Sequence, residues 1–136
     1  MKKLDNFIHC LAVLANADFK MAETNDIYRT GIIGQFNLSF ELAWKALQEI
    51  MRIHGIEEAS NVSPREILQL AYKVGFSSDS EVWRLMLKKR KTSVHRYNED
   101  EVDEMILWIR DSFIATFTAP KDTLVKKLEE AESNWM

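Results

Sequence analysis

The sequence has few of the residues that break or cross-link a helical chain. Among 136 residues it holds four glycines, two prolines and one cysteine, Cys10. A single cysteine excludes an internal disulfide and the paired thiols of common zinc sites. No apolar run approaches the roughly 20 residues of a membrane span, and Asp5 and His9 soon after the first lysines argue against a secretion signal. We expect a cytoplasmic protein without a metal or cofactor.

The overall composition is that of a compact helical domain. Apolar residues make up 46% of the chain and charged residues 29%, with a net charge of −3. This balance excludes a disordered chain, and the length suits one domain over residues 1–136. A net negative protein has no general attraction for nucleic acids or membranes. Any polyanion must therefore bind at a local basic patch.

Apolar residues recur at helical spacing, and no segment alternates as a strand would. One stripe joins Phe36, Phe40, Ala43, Leu47 and Ile50. The pattern predicts helices over about 3–21, 26–54, 63–74 and 78–89, a fifth from Asn98, and a last one over about 120–135 that begins at Pro120.

Several helix ends are marked by specific residues. Ser63, Pro64 and Glu66 form a capping box with proline in the first helical position, and Gly55 and Gly75 are placed to end the helices before them. The prediction is an all-α fold. It is an antiparallel up-and-down four-helix bundle with a core over about 3–118, an extra short helix and an appended C-terminal helix.

The most informative stretch is a basic segment that contains Arg90, His95 and Tyr97. No acidic residue falls between Val82 and Asn98. A positive field around an imidazole and a phenol is suited to phosphate chemistry. The segment carries a third of the lysines and arginines of the chain: Arg84, Lys88, Lys89, Arg90, Lys91 and Arg96.

The spacing of Arg90 and His95 restricts how they can act together. Five positions on an unbroken α-helix place two residues about 140° apart. They converge only if the helix ends between them, and the weak helix formers from Thr92 to Val94 predict such a break. A simpler interpretation stays open: the lysines before the junction and the acids after Asn98 compensate helix dipoles without any function.

Four blocks of the sequence resemble the nucleotidyltransferase substrate-binding proteins, HepT-like members of the HEPN superfamily. The similarity covers roughly residues 5–118, and the order and spacing of the blocks make it specific. The blocks are residues 34–45, residues 63–66, residues 81–83, and the Arg-x4-His-x-Tyr pattern of Arg90, His95 and Tyr97.

This resemblance implies a homodimer within a hetero-oligomer, whose partner is a minimal nucleotidyltransferase. The chain would bind the transferase's substrate, a nucleotide or nucleic-acid phosphate, at the basic motif. Phosphate-binding residues would be Arg84, Lys88, Lys89, Lys91 and Arg96.

The resemblance also implies an alternative, a metal-independent ribonuclease toxin. Arg90 and His95 would be its catalytic residues, and adenylylation of Tyr97 by the partner would inactivate it. Because cleavage needs an acid and a base and one copy has a single motif histidine, we expect a composite cleft of two copies at a dimer axis. HEPN ribonucleases usually have a polar residue such as asparagine after the motif arginine. Here that residue is Lys91, which cannot accept a hydrogen bond and argues against cleavage. A structural helical adaptor without catalysis is the third interpretation.

Overall fold

The computed structural model describes residues 1–77, 80–95 and 99–133, and for residues 80 and 91–95 it describes the backbone alone. Throughout these ranges the chain forms helices and turns and no strand, which confirms the all-α prediction. Within them, no helix is both long and apolar enough to cross a membrane. The α-helices are α1 (Lys2–Ala15), α2 (Asp26–Ile53), α3 (Pro64–Lys73), α4 (Ser80–His95), α5 (Glu99–Trp108) and α6 (Ile114–Ser133).

Helix α2 is the central element of the bundle, because it contacts every other α-helix. Its predicted apolar stripe is fully in the core: Phe36, Phe40 and Ile50 have no exposed surface. The ring of Phe36 stacks on Phe113 at 5.2 Å between centroids and lies 5.9 Å from Phe117. These contacts fix the C-terminal helices against the middle of α2.

The predicted helix ends around α3 are confirmed in detail. The hydroxyl of Ser63 accepts a hydrogen bond from the backbone N–H of Glu66 at 3.2 Å, and Pro64 occupies the first helical position. Gly55 and Gly75 follow α2 and α3 with φ of 82° and 85°. Glycine adopts this left-handed conformation without the steric cost of a side chain, so both positions stop a helix.

The first helix is shorter than predicted, because local polar groups end it at Ala15 rather than near residue 21. The side-chain amide of Asn16 donates to the carbonyl of Ala12 at 2.8 Å. A carboxylate oxygen of Asp18 then accepts hydrogen bonds from the backbone of Lys20 and Met21. Such bonds offer the backbone an alternative to the helix.

The predicted helix start at Pro120 is wrong. Pro120 lies inside α6, and a π-helical segment over Ile109–Phe113 joins α5 to α6 without a break. An internal proline costs a helix about 3 kcal/mol, because it removes one backbone hydrogen bond. Burial offsets this cost here: Pro120 is buried, and so is Leu124 one turn later. Packing therefore decides the path of the helix.

We expect Phe36→Ala to lower the free energy of unfolding by about 3–5 kcal/mol, since it removes a fully buried ring and leaves a cavity. Urea denaturation followed by circular dichroism measures this. Leu107→Ala is the matched control, because Leu107 is 49% exposed and should change stability by less than about 0.5 kcal/mol. Equal effects of the two substitutions would contradict this packing.

Candidate functional site

Helix α4 turns one face to the core and the opposite face outward. Trp83 and Met86 are buried. Arg90 follows them at i+7 and i+4, the spacing of one helical stripe. Arg90 therefore lies on the core-facing side of α4, while the neighbouring basic residues are distributed around the helix.

The guanidinium of Arg90 is held by two side chains of α2. Its Nη1 donates to Oε2 of Glu41 at 2.8 Å, and its Cζ lies over the ring of Phe40, 5.3 Å from the centroid. Phe40 in turn packs against Trp83, with 6.0 Å between ring centroids. A charge-assisted hydrogen bond and a cation–π contact together fix the arginine against α2.

Glu41 is the electrostatic centre of this group. Its Oε2 also accepts from Nε1 of Trp44 at 3.1 Å, and its Oε1 lies 3.1 Å from Nζ of Lys45. Burial by itself raises the pKa of the Glu41 carboxyl. The hydrogen bonds from Trp44 and Lys45 and the charge of Arg90 outweigh burial, so the pKa lies below its usual value. Glu41 is thus ionised at neutral pH.

Lys89 is paired on the other side of α4. Its Nζ donates to Oε1 of Glu104 on α5 at 2.8 Å, and Trp108 Nε1 donates to the same oxygen at 3.3 Å. The hydrogen bond from Lys89, followed by that from Trp108, holds the pKa of Glu104 below its usual value. Lys89 and Arg90 of the basic segment thus have acidic partners on neighbouring helices.

Arg84 and Lys88 are exposed on the outward face of α4. They are four positions apart, one turn of the helix, so they lie on one stripe. By spacing alone, positions 91 and 95 continue that stripe at i+3 and i+7 from Lys88. The outward stripe is therefore the part of the basic segment directed toward solvent.

The predicted helix break between Arg90 and His95 is wrong, because α4 continues as one helix to His95. Thr92, Ser93 and Val94 lower helix propensity by only tenths of a kcal/mol each, and none of them stops a helix as glycine or proline does. The two motif positions consequently lie about 140° apart around the axis of α4. The backbone of one chain therefore does not bring Arg90 and His95 to the same side of α4.

The remaining motif residues lie outside what the structure describes. Arg96, Tyr97 and the helix start predicted at Asn98 fall in the undescribed range 96–98. The side chains of Lys91 and His95 are also not described. The predictions for these residues stay predictions.

One further polar atom on α2 is buried. Oδ1 of Asn37, one turn before Glu41 on α2, is buried and has no hydrogen-bond partner among the described residues. Within the same part of the chain, no three histidine, cysteine or acidic residues are placed to hold a metal ion.

Glu41 and Glu104 are the site residues that the sequence did not reveal. The i,i+4 spacing of Glu41 and Lys45 is typical of a simple surface ion pair, but Glu41 also contacts Arg90, and this contact crosses from α2 to α4. The sequence does contain one signal for the contact of Arg90 with α2. Trp83, Met86 and Arg90 share helical spacing, so the arginine lies on the core-facing side of its helix and needs a partner there.

Two comparisons with known proteins find relatives of this chain. The model of a family described as "Nucleotidyltransferase substrate binding protein like" matches residues 2–126. The crystal structure of a Thermus thermophilus protein is similar at 25% sequence identity with a TM-score of 0.69, and the match covers 90% of this chain and 98% of that one. A search of curated proteins gives no significant match.

We expect Glu41→Gln to lower the free energy of unfolding at pH 7 by roughly 1 kcal/mol, because it weakens the charge-assisted bonds to Arg90 and Lys45. The folded-state pKa of Glu41 is below its usual 4.5. Its contribution to stability is therefore complete above about pH 4.5 and is lost as pH falls through the folded-state pKa. The difference between the two proteins should shrink at acid pH.

Urea unfolding at neutral and acid pH measures this difference. Glu49→Gln is the matched control on the same helix, since Glu49 contacts Lys3 and Arg52 at 3.4 and 3.5 Å. These longer, more exposed pairs should contribute little. A Glu41→Gln effect that is independent of pH, or equal to that of Glu49→Gln, would contradict the assigned role.

Proposed function

The chain belongs to the nucleotidyltransferase substrate binding protein like family, and on this premise we propose that it is the substrate-binding partner of a separate minimal nucleotidyltransferase. It would hold the phosphate groups of a nucleotide or nucleic acid while the partner carries out nucleotidyl transfer. The exposure of Arg84 and Lys88 on one stripe of α4, within a basic segment that has no acidic residue, is the observation that carries this proposal.

Arg84 and Lys88 would make the first contacts with the ligand. They are exposed on the same stripe of α4, and the segment from Trp83 to Asn98 contains no acidic residue. Outward-facing cations on a net negative protein create a local attraction for phosphate. Lys91 and Arg96 are the further cations that the sequence predicts to contact phosphate.

Arg90 would act differently from the outward cations. Glu41 and Phe40 fix its guanidinium at the edge of α2, so little conformational entropy remains to be lost when a phosphate approaches. Lys89 is bonded to Glu104 and would contribute mainly through its charge.

The ribonuclease alternative has less support. General acid–base cleavage of RNA needs a base at the 2′-hydroxyl and an acid at the leaving oxygen. The unbroken α4 separates positions 90 and 95 around its axis. A second copy would therefore have to supply groups to the same cleft, and modification of Tyr97 would then block that cleft with an anion. In a purely structural adaptor, the third interpretation, the basic segment would only compensate helix dipoles.

We expect the double variant Arg84→Ala/Lys88→Ala to bind a labelled single-stranded RNA oligonucleotide more weakly and with a smaller salt dependence. Each phosphate contact with a single strand contributes about 0.7 to the slope of log K against log salt, so losing two should lower the slope by roughly 1.4. Fluorescence anisotropy across a salt series measures this. Binding of the nucleotidyltransferase is followed separately by co-purification.

Arg65→Ala/Lys73→Ala is the matched control, because it removes the same charge from two exposed residues of α3. It should leave the salt slope unchanged. Equal slopes for both double variants would show that the outward stripe of α4 is not the binding surface.

We expect the purified chain alone to bind RNA without cleaving it, because α4 places positions 90 and 95 on different sides of its axis and Lys91 follows the motif arginine. Incubation of labelled RNA with the chain in the presence of a metal chelator, followed by gel electrophoresis, tests this. Cleavage that disappears in His95→Ala but persists in His9→Ala would instead establish the ribonuclease alternative.

A further inference from the structure

We propose that the indole ring of Trp44 is the surface on which a base of the bound nucleotide or nucleic acid stacks. This inference deepens the proposed function and rests on it, because a base is held at Trp44 only if the phosphates of the same ligand bind nearby. It assigns recognition of the base, which cations alone do not provide, to one side chain of α2.

Trp44 is joined to Arg90 through a single carboxylate oxygen. Oε2 of Glu41 accepts a hydrogen bond from Nε1 of Trp44 at 3.1 Å and another from Nη1 of Arg90 at 2.8 Å. Two bonds of these lengths that end on one oxygen keep the two nitrogens within about 6 Å of each other. A phosphate at the guanidinium and a base at the indole are therefore within the span of one nucleotide.

The charges beside the ring suit an anionic ligand. The carboxylate of Glu41 contacts two cations, Arg90 and Lys45. Two positive charges against one negative charge leave the group with a net charge of +1. The carboxylate thus orders this group without cancelling its attraction for phosphate.

Trp44 differs from the other two tryptophans of the described chain. Trp83 is 3% exposed and packs against Phe40 in the core. Trp108 is stacked on Phe113, with 5.8 Å between ring centroids and 16° between the ring planes. Trp44 is half-buried at the edge of the core, and no aromatic ring of the described residues lies against it. The described chain therefore leaves this indole without an aromatic stacking partner.

Lys45 is the cation that contacts the Trp44 ring. Its Nζ lies 5.8 Å from the ring centroid, close to the roughly 6 Å limit of a cation–π contact. The side chain of Lys45 is 45% exposed, so its ammonium can turn toward a ligand phosphate when a base stacks on the indole. The base then replaces a weak contact, and the lysine keeps an anionic partner.

Stacking on a single indole selects a ligand whose bases are accessible. Aromatic side chains accept any base, because every base has a π-face. The bases of a duplex are already stacked on each other, whereas those of a single strand can be turned outward. The ligand is therefore a nucleotide or a single strand rather than a duplex.

Two substitutions separate the ring of Trp44 from its hydrogen bond. Trp44→Leu removes both, whereas Trp44→Phe removes the bond to Glu41 and keeps an aromatic face. We expect Trp44→Leu to weaken binding of a labelled single-stranded RNA about five- to 100-fold, and Trp44→Phe to weaken it less than about threefold. Fluorescence anisotropy measures both. Equal losses would overturn the proposal, because Trp44 would then act only by holding Glu41.

A polyanion without bases provides an independent measurement. We expect the wild type and Trp44→Leu to bind inorganic polyphosphate with equal affinity in isothermal titration calorimetry. The salt slope for RNA should also be the same in both, since stacking neutralises no phosphate. A loss of polyphosphate affinity as large as the loss of RNA affinity would overturn the proposal.

Tryptophan fluorescence reports on the ring itself. Unlabelled single-stranded RNA should quench the emission of the wild-type protein, and Trp44→Phe should lose most of this quenching. The conservative substitution keeps this measurement independent of any destabilisation by Trp44→Leu. Quenching that is undiminished in Trp44→Phe would overturn the proposal.

Tyr72→Leu is the matched control, because Tyr72 is an aromatic residue of α3 with 53% of its surface exposed. It should bind RNA as the wild type does. RNA affinity that falls in Arg84→Ala/Lys88→Ala but not in Trp44→Leu would overturn the stacking and leave the proposed function in place. A wild-type chain that binds neither RNA nor polyphosphate would overturn both.

Discussion

The packing of aromatic rings along α2 is the interaction on which the rest of the structure depends. Phe36 contacts Phe113 and Phe117 and thereby fixes the C-terminal helices, while Phe40 contacts Trp83 and fixes α4. The same Phe40 ring lies under the guanidinium of Arg90. The core and the candidate site are therefore continuous, and a change in the packing of α2 alters the position of the arginine.

The basic helix shows how burial assigns different roles to residues of the same charge. Cations that face neighbouring helices have acidic partners, as in the pairs Lys89–Glu104 and Arg90–Glu41. A partly buried charge without such a partner would be costly. Arg84 and Lys88 on the outward face are exposed to solvent, where a ligand phosphate can reach them. The position of each residue on the helix, rather than the number of charges, decides which role it has.

Local signals in the sequence predicted the parts of the fold that local interactions determine. The cap at Ser63 and the stops at Gly55 and Gly75 depend on single residues and their neighbours, and all three are confirmed. The continuation of α4 through Thr92 and of α6 through Pro120 depends on the surrounding helices, which the sequence alone does not reveal. The pairing of Arg90 with Glu41 was missed for the same reason, since its partners are distant in sequence.

The contact between Phe7 and Phe117 joins the first helix to the last at 5.9 Å between ring centroids. During synthesis the N-terminal helices leave the ribosome first. The inner faces of α1 and α2 then have no C-terminal helix to cover them until α6 has been translated. The bundle can complete its core only after α6 has been translated, so shortened products that lack α6 would expose aromatic surface and become targets for chaperones and proteases.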